Sequence, residues 1–334
     1  MSAHDADLRA DRPGVPPVDP ALCARRVAVD PPPPAEPDPA VAVVAAVAAV
    51  APPPSPSRRF VVEATFAREV AVRAGELLMD HYERVERVDY KSARDIVTEV
   101  DHLSEALIVE AIRTAFPADG ILAEESGVVD RGDGSPATAA GGRTWVVDPL
   151  DGTVNYANGI PFFCVSVALV VDGAPAVGVV HDPCRGETFE ATCDGPATLD
   201  GRPIRTSTKE RLSDFVVSLA LGGRGVAGRL RTIRRAIRIP RSMGSAALSL
   251  AYVGNGRFDA FVQSSGLSVW DVAAAGLVAE RGGARLTNPE GGPWFDLGAA
   301  PKSFGLIAAP PEHHAAILDL VRGEPHPARA ARTA

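Results

Sequence analysis

The chain has 334 residues, of which 46% are hydrophobic and 23% charged, and a formal net charge of −8. This size and balance suit a globular protein of one large or two moderate domains and argue against a nucleic-acid binder, which would carry a basic face. The four cysteines, Cys23, Cys164, Cys184 and Cys193, include no Cys-x-x-Cys pair. A zinc site and a disulfide scaffold are not expected, and the reducing cytoplasm is the default compartment.

Residues 1–58 stand apart through Pro runs (Pro31 to Pro34, Pro52 to Pro54) and Ala/Val low complexity, and they read as a disordered tail. The apolar run Val41 to Ala51 is too short to span a bilayer. Glu36 and Asp38 stand where a signal peptide needs basic residues. No membrane association is expected. A cryptic export signal or a start codon upstream of the true one are the other readings of this segment.

Val62, Phe66, Val70, Ala74, Leu77 and Leu78 recur at helical spacing and predict an amphipathic helix ending near His81. Val85 to Tyr90 reads as a strand or extended link, and Lys91 to Arg94 as a polar turn. Leu103, Leu107, Ile108, Ala111 and Ile112 form the stripe of a second helix, starting near Thr98 and stopping before Pro117. Gly120 to Ala123 is a short strand that delivers Glu124-Glu125-Ser126. The Gly/Asp/Ala-rich stretch 127–142 reads as a loop. The apolar strand Trp145 to Val147 then runs into Asp148-Pro149-Leu150-Asp151-Gly152-Thr153.

Phe162 to Val171 and Ala176 to His181, joined by Asp172-Gly173, read as a hairpin. Glu187 to Thr192 and Ala197 to Leu199 continue the meander to a turn at Asp200-Gly201. Beyond Ile204, strands at Phe215 to Leu219, Phe258 to Val262 and Phe304 to Ala308 alternate with helices. Those helices are Gly225 to Ile237, Gly244 to Val253, Trp270 to Glu280 (stopped by Gly282-Gly283) and Pro311 to Val321. The alternation predicts layered sheets covered by helices. The expected division is an N-terminal α+β subdomain at 59–203, a C-terminal α/β subdomain at 204–325 and a disordered tail at 326–334.

Four acidic segments carry the chemistry: Asp95 to Asp101, Glu124 to Ser126, Asp148 to Thr153 and Trp270 to Ala274. Three of them lie where a strand gives way to a turn or helix, where side chains project into a crevice. Asp148 and Asp151, one turn-like unit apart, suit a hard divalent cation, with the Leu150 carbonyl as an uncharged ligand. Glu124 and Asp271 complete a set suited to a metal pair, because magnesium takes oxygen ligands and keeps several waters. Gly152 and Thr153 offer backbone N–H groups to a phosphate, and Thr153 offers a hydroxyl to a water.

Plainer roles stand beside these. Asp95 satisfies backbone groups in a turn, Glu125 is structural, and Asp101 is a helix N-cap. Lys91 is a solvated charge or lies near the site. Asn155 braces its turn, and Trp145 and Trp270 are packing anchors. No two of the seven histidines have a ligand's spacing. The Arg-rich segment 229–241 is a solvated face or subunit contact.

The motif Trp-x-x-Asp-Pro-x-Asp-Gly-Thr-x-Asn at 145–155 resembles a signature of the inositol monophosphatase family of magnesium-dependent phosphatases. Trp270 to Ala274, followed by Glu280-Arg281-Gly282-Gly283, resembles the second signature. The blocks Asp95 to Asp101 and Glu124 to Ser126 follow the family order, so the likeness runs from about Phe60 to Val321. The resemblance implies an alternating α-β-α-β-α sandwich. It also implies hydrolysis of a small phosphorylated alcohol by direct attack of a metal-activated water, with two or three Mg2+ ions.

In that reading Glu124, Asp148 and the Leu150 carbonyl hold the first ion, Asp148, Asp151 and Asp271 the second, and a third lies near Glu124. Asp101 and Thr153 position and deprotonate the water, assisted by Glu124, and the Gly152 and Thr153 N–H groups bind phosphate. Homodimers and lithium inhibition are further implications. Ala246, in Gly244-Ser245-Ala246-Ala247, is a candidate pocket wall. In inositol-specific members a Glu seven residues before the Asp of the second signature binds substrate hydroxyls; here that position is Ser264. Inositol monophosphate is therefore the first candidate substrate only, ahead of histidinol phosphate, glycerol phosphate and a sugar bisphosphate. A 3′-phosphoadenosine nucleotide phosphatase and a non-enzymatic binding protein are the remaining alternatives.

Overall fold

The structure, a computed structural model, describes residues 59–84, 88–92, 95–129, 142–222 and 225–323. The expected tails at 1–58 and 326–334 lie outside the described residues. So do the side chains of Lys91 and Asp95.

Helix α1 (Val61–His81) buries Ala64, Ala67, Val70, Ala71, Ala74 and Leu78 on one stripe. Strands β1 (Val88–Ser92) and β2 (Asp95–Thr98) pair antiparallel, so Lys91 lies in a strand rather than in the expected turn. Helix α2 (Glu99–Ala115) starts at Thr98, whose Oγ1 accepts from Val100 N at 3.2 Å. Thr98, not Asp101, is the N-cap. Asp101 is the third helical residue, and its carboxylate accepts from Thr98 N at 2.8 Å, the reciprocal half of a capping box.

Strand β3 (Gly120–Ala123) is followed by β4 (Gly127–Val129), which turns back on it antiparallel where a loop was expected. Strand β5 (Arg143–Asp151) leads into the short helix α3 (Thr153–Ala157). A meander follows: β6 (Cys164–Val171), β7 (Ala174–Asp182), β8 (Glu187–Thr192), β9 (Thr198–Leu199) and β10 (Arg202–Pro203). These strands form one eight-stranded sheet in the order β10-β9-β8-β7-β6-β5-β3-β4.

The second sheet uses β11 (Val216–Ala220), β12 (Ile239–Arg241), β13 (Ala260–Leu267), β14 (Arg285–Thr287) and β15 (Phe304–Ala309), in the order β12-β11-β13-β15-β14. Its helices are α4 (Val226–Ala236), α5 (Ala246–Gly254), α6 (Val269–Arg281) and α7 (Pro311–Arg322). No helix among the described residues is long and apolar enough to cross a membrane.

The period-two alternation of strands sorts the side chains into layers. Trp145, Val147, Val165, Val167 and Leu169 meet α1 and α2 on one face of the large sheet. Val146, Cys164, Ala168 and Val170 project from the other face into a middle layer with α5 and α6. Phe261, Leu306 and Ala308 close that layer from the second sheet. Val217, Val262 and Ile307 face outward to α4 and α7. The architecture is the α-β-α-β-α sandwich. Strand β10 ends at Pro203 and the next strand joins the other sheet, while α5 and α6 belong to both.

Helix α6 is apolar nearly all round, as a helix buried between two sheets must be. It also comes very close to β7. A Cβ at Gly178 would lie 2.6 Å from the Ala274 carbonyl oxygen and 2.9 Å from its Cα. Neither backbone can yield easily. Gly178→Ala is expected to lower stability by about 1–3 kcal/mol through overpacking, read as a lower urea midpoint with an unchanged denaturant slope.

Candidate active site

The site begins with a bulge. Asp148 pairs with Ser166 and Asp151 with Cys164, so Pro149 and Leu150 together oppose the single residue Val165. Pro149 brings no N–H to the ladder, which suits it to such a position. On a regular strand, residues three apart point to opposite faces. The extra residue cancels that, so Leu150 packs with the α1–α2 layer while Asp148 and Asp151 both turn to the middle layer. Leu150 N donates back to Asp148 Oδ1 at 3.1 Å, fixing the first carboxylate.

Asp151 is held by the start of α5. Its Oδ2 accepts from Ser245 Oγ and from Ala247 N, each at 2.6 Å, and its Oδ1 accepts from Ala246 N at 3.2 Å. The exposed N–H groups at a helix start favour a negative charge there. Asp271 is the third residue of α6, where Ser268 N donates to its Oδ2 at 2.6 Å in a capping box. Glu124 leaves β3, which runs parallel to β5, and its N donates to Val147 O at 3.2 Å. That register sets its carboxyl beside Asp148, to which it hydrogen-bonds.

Asp148, Asp151 and Asp271 each offer an oxygen within 4.8 Å of the others. Burial raises the Asp148 pKa well above the usual carboxylate range, and the charges of Glu124, Asp151 and Asp271 add to it. Asp271 is also pushed well up, by burial and then by Asp151. Burial raises Asp151 too, opposed by its bonds to Ser245 and the α5 backbone. Burial and mutual repulsion thus disfavour the charged forms unless a cation answers them, and an all-oxygen donor set is the kind a hard divalent ion takes. Cys164 lies 3.8 Å from Asp151 Oδ2, but burial pushes its thiol well up and keeps it neutral.

Across the cluster, Thr153 Oγ1 donates to Asp101 Oδ1 at 2.9 Å and lies 3.1 Å from the Leu150 carbonyl. The other Asp101 oxygen is occupied by Thr98, through its N at 2.8 Å and its Oγ1 at 2.6 Å. Gly152 turns the chain between β5 and α3 with φ 101°, a conformation that disfavours any Cβ; one built there would meet Phe162 O at 3.1 Å.

A cavity of about 470 Å³ opens beside these groups. It brings together Glu124, Asp148, Leu150, Asp151, Gly152, Thr153, Ala246 and Asp271. Asp101 reaches it through Thr153. Ser264 is not among the lining residues: its Oγ accepts from Gly222 N at 2.9 Å, and it lines a separate depression with Arg229 and Arg322. Neighbours on a strand point opposite ways, and it is Gln263 of β13 that lines the cavity.

Asn155 is a brace, donating to Phe162 O and to Met243 O, both at 2.7 Å. Trp145 is fully buried and donates to Asp119, whereas Trp270 lines the cavity. The acidic and Gly-Thr patterns did not mark the supports of the site. Glu105 accepts from Glu125 N and Ser126 N at 2.7 and 2.8 Å, and Ser104 Oγ donates to the Pro149 carbonyl at 3.0 Å. The N-cap Ser245 was missed, although a Ser just before a run of small helix formers is the signal that could have found it; Glu105 and Ser104 carry no local signal.

A layered α-β-α-β-α fold, with clustered carboxylates and a Gly-Thr turn at the mouth of its middle layer, defines a phosphatase of phosphomonoesters. The chain belongs to the inositol monophosphatase family, whose profile matches residues 62–326. It is 37% identical over 227 residues to a protein of Thermotoga maritima named fructose-1,6-bisphosphatase/inositol-1-monophosphatase, a match covering 68% of this chain and 84% of that one. It is 37% identical over 239 residues to the Nus factor SuhB of Pseudomonas aeruginosa, covering 66% and 83%. Among solved structures, the extragenic suppressor protein SuhB of Bartonella henselae superposes with a TM-score of 0.70 at 31% identity, covering 78% of this chain and 98% of that one. A Thermotoga maritima IMPase superposes with a TM-score of 0.68 at 33% identity, covering 78% and 97%.

The raised carboxylates fix the sign of a stability effect. Their native pKa values lie above the unfolded ones, so their contribution is fully present below the unfolded pKa and is lost as pH rises through the native pKa. In chelator, the wild-type protein is expected to become less stable from about pH 4 upward across this window. Asp148→Asn should flatten that slope and raise stability at neutral pH by roughly 1–3 kcal/mol, read by thermal unfolding across a pH series.

Proposed function

We propose that this chain is a magnesium-dependent phosphomonoesterase that hydrolyses a small phosphorylated alcohol by direct attack of water. The observation that carries the proposal is the convergence of Asp148, Asp151 and Asp271 beside Thr153 in one cavity. Glu124, Asp148 and the Leu150 carbonyl would hold one ion, and Asp148, Asp151 and Asp271 a second; a third would lie near Glu124. Bound magnesium supplies positive charge for the phosphate and lowers the pKa of water.

The chain's own groups do the rest. Thr153 Oγ1, already donating to Asp101, presents its lone pairs to a water, and the water's proton passes through the hydroxyl to Asp101. Thr98 holds Asp101 at the right angle for this through two short bonds. The Gly152 and Thr153 N–H groups receive phosphate oxygens. Ala246 and the hydroxyls of Ser218, Ser242 and Ser249 supply a small, neutral wall for the alcohol. The same proposal includes a cytoplasmic homodimer, with lithium competing for one magnesium position.

Phosphate release from a panel of phosphorylated alcohols, with magnesium and with chelator, tests this reading. Turnover is expected in magnesium alone. Asp148→Asn and Asp271→Asn should reduce kcat by about 1,000-fold or more, and Thr153→Ala by about 100-fold. Magnesium at about 100 times its dissociation constant should stabilise the wild type by about 2.7 kcal/mol and leave Asp148→Asn nearly unmoved. A folded, magnesium-binding protein inert on the whole panel would end the proposal.

A further inference from the structure

Six serines are buried among the described residues, and the fold uses five of them. Ser104 donates to the Pro149 carbonyl, Ser166 to the Trp270 carbonyl and Ser249 to the Ser245 carbonyl. Ser245 donates to Asp151, and Ser268 accepts from the Lys302 N–H. Ser218 is the sixth. It is 6% exposed, and its hydroxyl makes no hydrogen bond to any of the described residues.

The fold gives that hydroxyl a direction. Ser218 lies in β11, between β12 and β13. Its neighbours Val217 and Leu219 pack toward α4 and α7, so Ser218 turns to the opposite face, where it lines the cavity. Phe261, its register partner on β13, turns the same way into the middle layer. An alanine would serve the strand there without leaving a polar atom unpaired. A buried hydroxyl without a partner costs free energy that packing does not return.

The cavity has two ends of different origin. The first sheet brings Asp148 and Asp151 and runs on into the Gly152-Thr153 turn, while the second sheet brings the wall that carries Ser218 and Gln263. The other buried or half-buried polar groups of that wall are partly committed. Ser249 Oγ donates to Ser245 O at 2.6 Å, and Gln263 Nε2 donates to Ser265 O at 3.3 Å. Ser218 keeps both its donor and its acceptors.

We infer that Ser218 is a specificity-determining residue whose hydroxyl pairs with a hydroxyl on the alcohol half of the substrate, so that the site selects polyol or sugar phosphates over phosphates of alcohols with no further hydroxyl. The inference rests on the phosphomonoesterase reading above and narrows its substrate class. A substrate hydroxyl at this point satisfies the unpaired group. A methylene or an aromatic C–H in its place leaves the group buried and unpaired, which the site rejects. The bond is made away from the reacting phosphate, so its loss acts on binding, raising KM more than it lowers kcat.

The test compares wild type, Ser218→Ala and Ser218→Thr in saturating magnesium. Inositol 1-phosphate, glycerol 2-phosphate and fructose 1,6-bisphosphate carry further hydroxyls, and phenyl phosphate carries none. Inorganic phosphate, read as a competitive inhibitor, has no alcohol half at all. Ser218→Ala breaks no hydrogen bond among the described residues, so it should fold. It is expected to lower kcat/KM about tenfold for at least one hydroxylated substrate, mainly through KM, while kcat/KM for phenyl phosphate and Ki for phosphate stay within about twofold. Ser218→Thr keeps the hydroxyl and should retain most of the wild-type preference.

No loss on any hydroxylated substrate overturns the inference while leaving the phosphatase reading in place. An equal loss on phenyl phosphate or in the affinity for inorganic phosphate also overturns it, because neither offers a hydroxyl to Ser218. Inactivity of the wild type on every substrate removes the phosphatase reading and this inference with it.

Discussion

Carboxylates taken out of water within a few ångströms of one another repel, and the mouth of the middle layer is organised around holding three of them there. Asp148, Asp151 and Asp271 come within 4.8 Å, and burial and mutual charge push Asp148 and Asp271 well above the ordinary carboxylate range. Such a cluster persists only because the surrounding fold over-determines it. Positive charge entering the site would relieve that repulsion.

The restraint comes from helix starts. Helices α5 and α6 fill the layer between the two sheets, and both begin at the cavity. The first N–H groups of α5 hold Asp151, and the capping box of α6 holds Asp271. Free N–H groups at a helix start need acceptors, and negative side chains supply them. The site and the core are thus one construction. The apolar burial of α6 between two sheets sets the place of Asp271, and the close approach of Ala274 to Gly178 leaves that helix little room to shift.

Much of this was readable along the chain. The long helices, the meander and the alternation of strands and helices follow from periodicity and turn residues. Edges and short elements did not. Strands β4, β12 and β14 have three residues each, too few to show a period, and they form only because a neighbouring strand offers its free edge. Asp101 read locally as an N-cap; the structure moves the cap to Thr98 and frees one Asp101 oxygen for Thr153. Ser264 was placed by counting residues, and strand alternation turned Gln263 to the cavity instead.

By itself, the sequence determined the family and marked the groups to which the proposal gives the chemistry: the acids at 124, 148, 151 and 271 and the Gly152-Thr153 turn. These are local statements, because spacing and residue type suffice to express them. The tertiary structure decided which of those acids meet, through a bulge that needs β6 as its partner and through helix starts delivered from distant parts of the chain. It also decided the supports, Glu105 and Ser104. Long-range contacts of that kind leave no periodic trace, because each depends on two segments that only packing brings together.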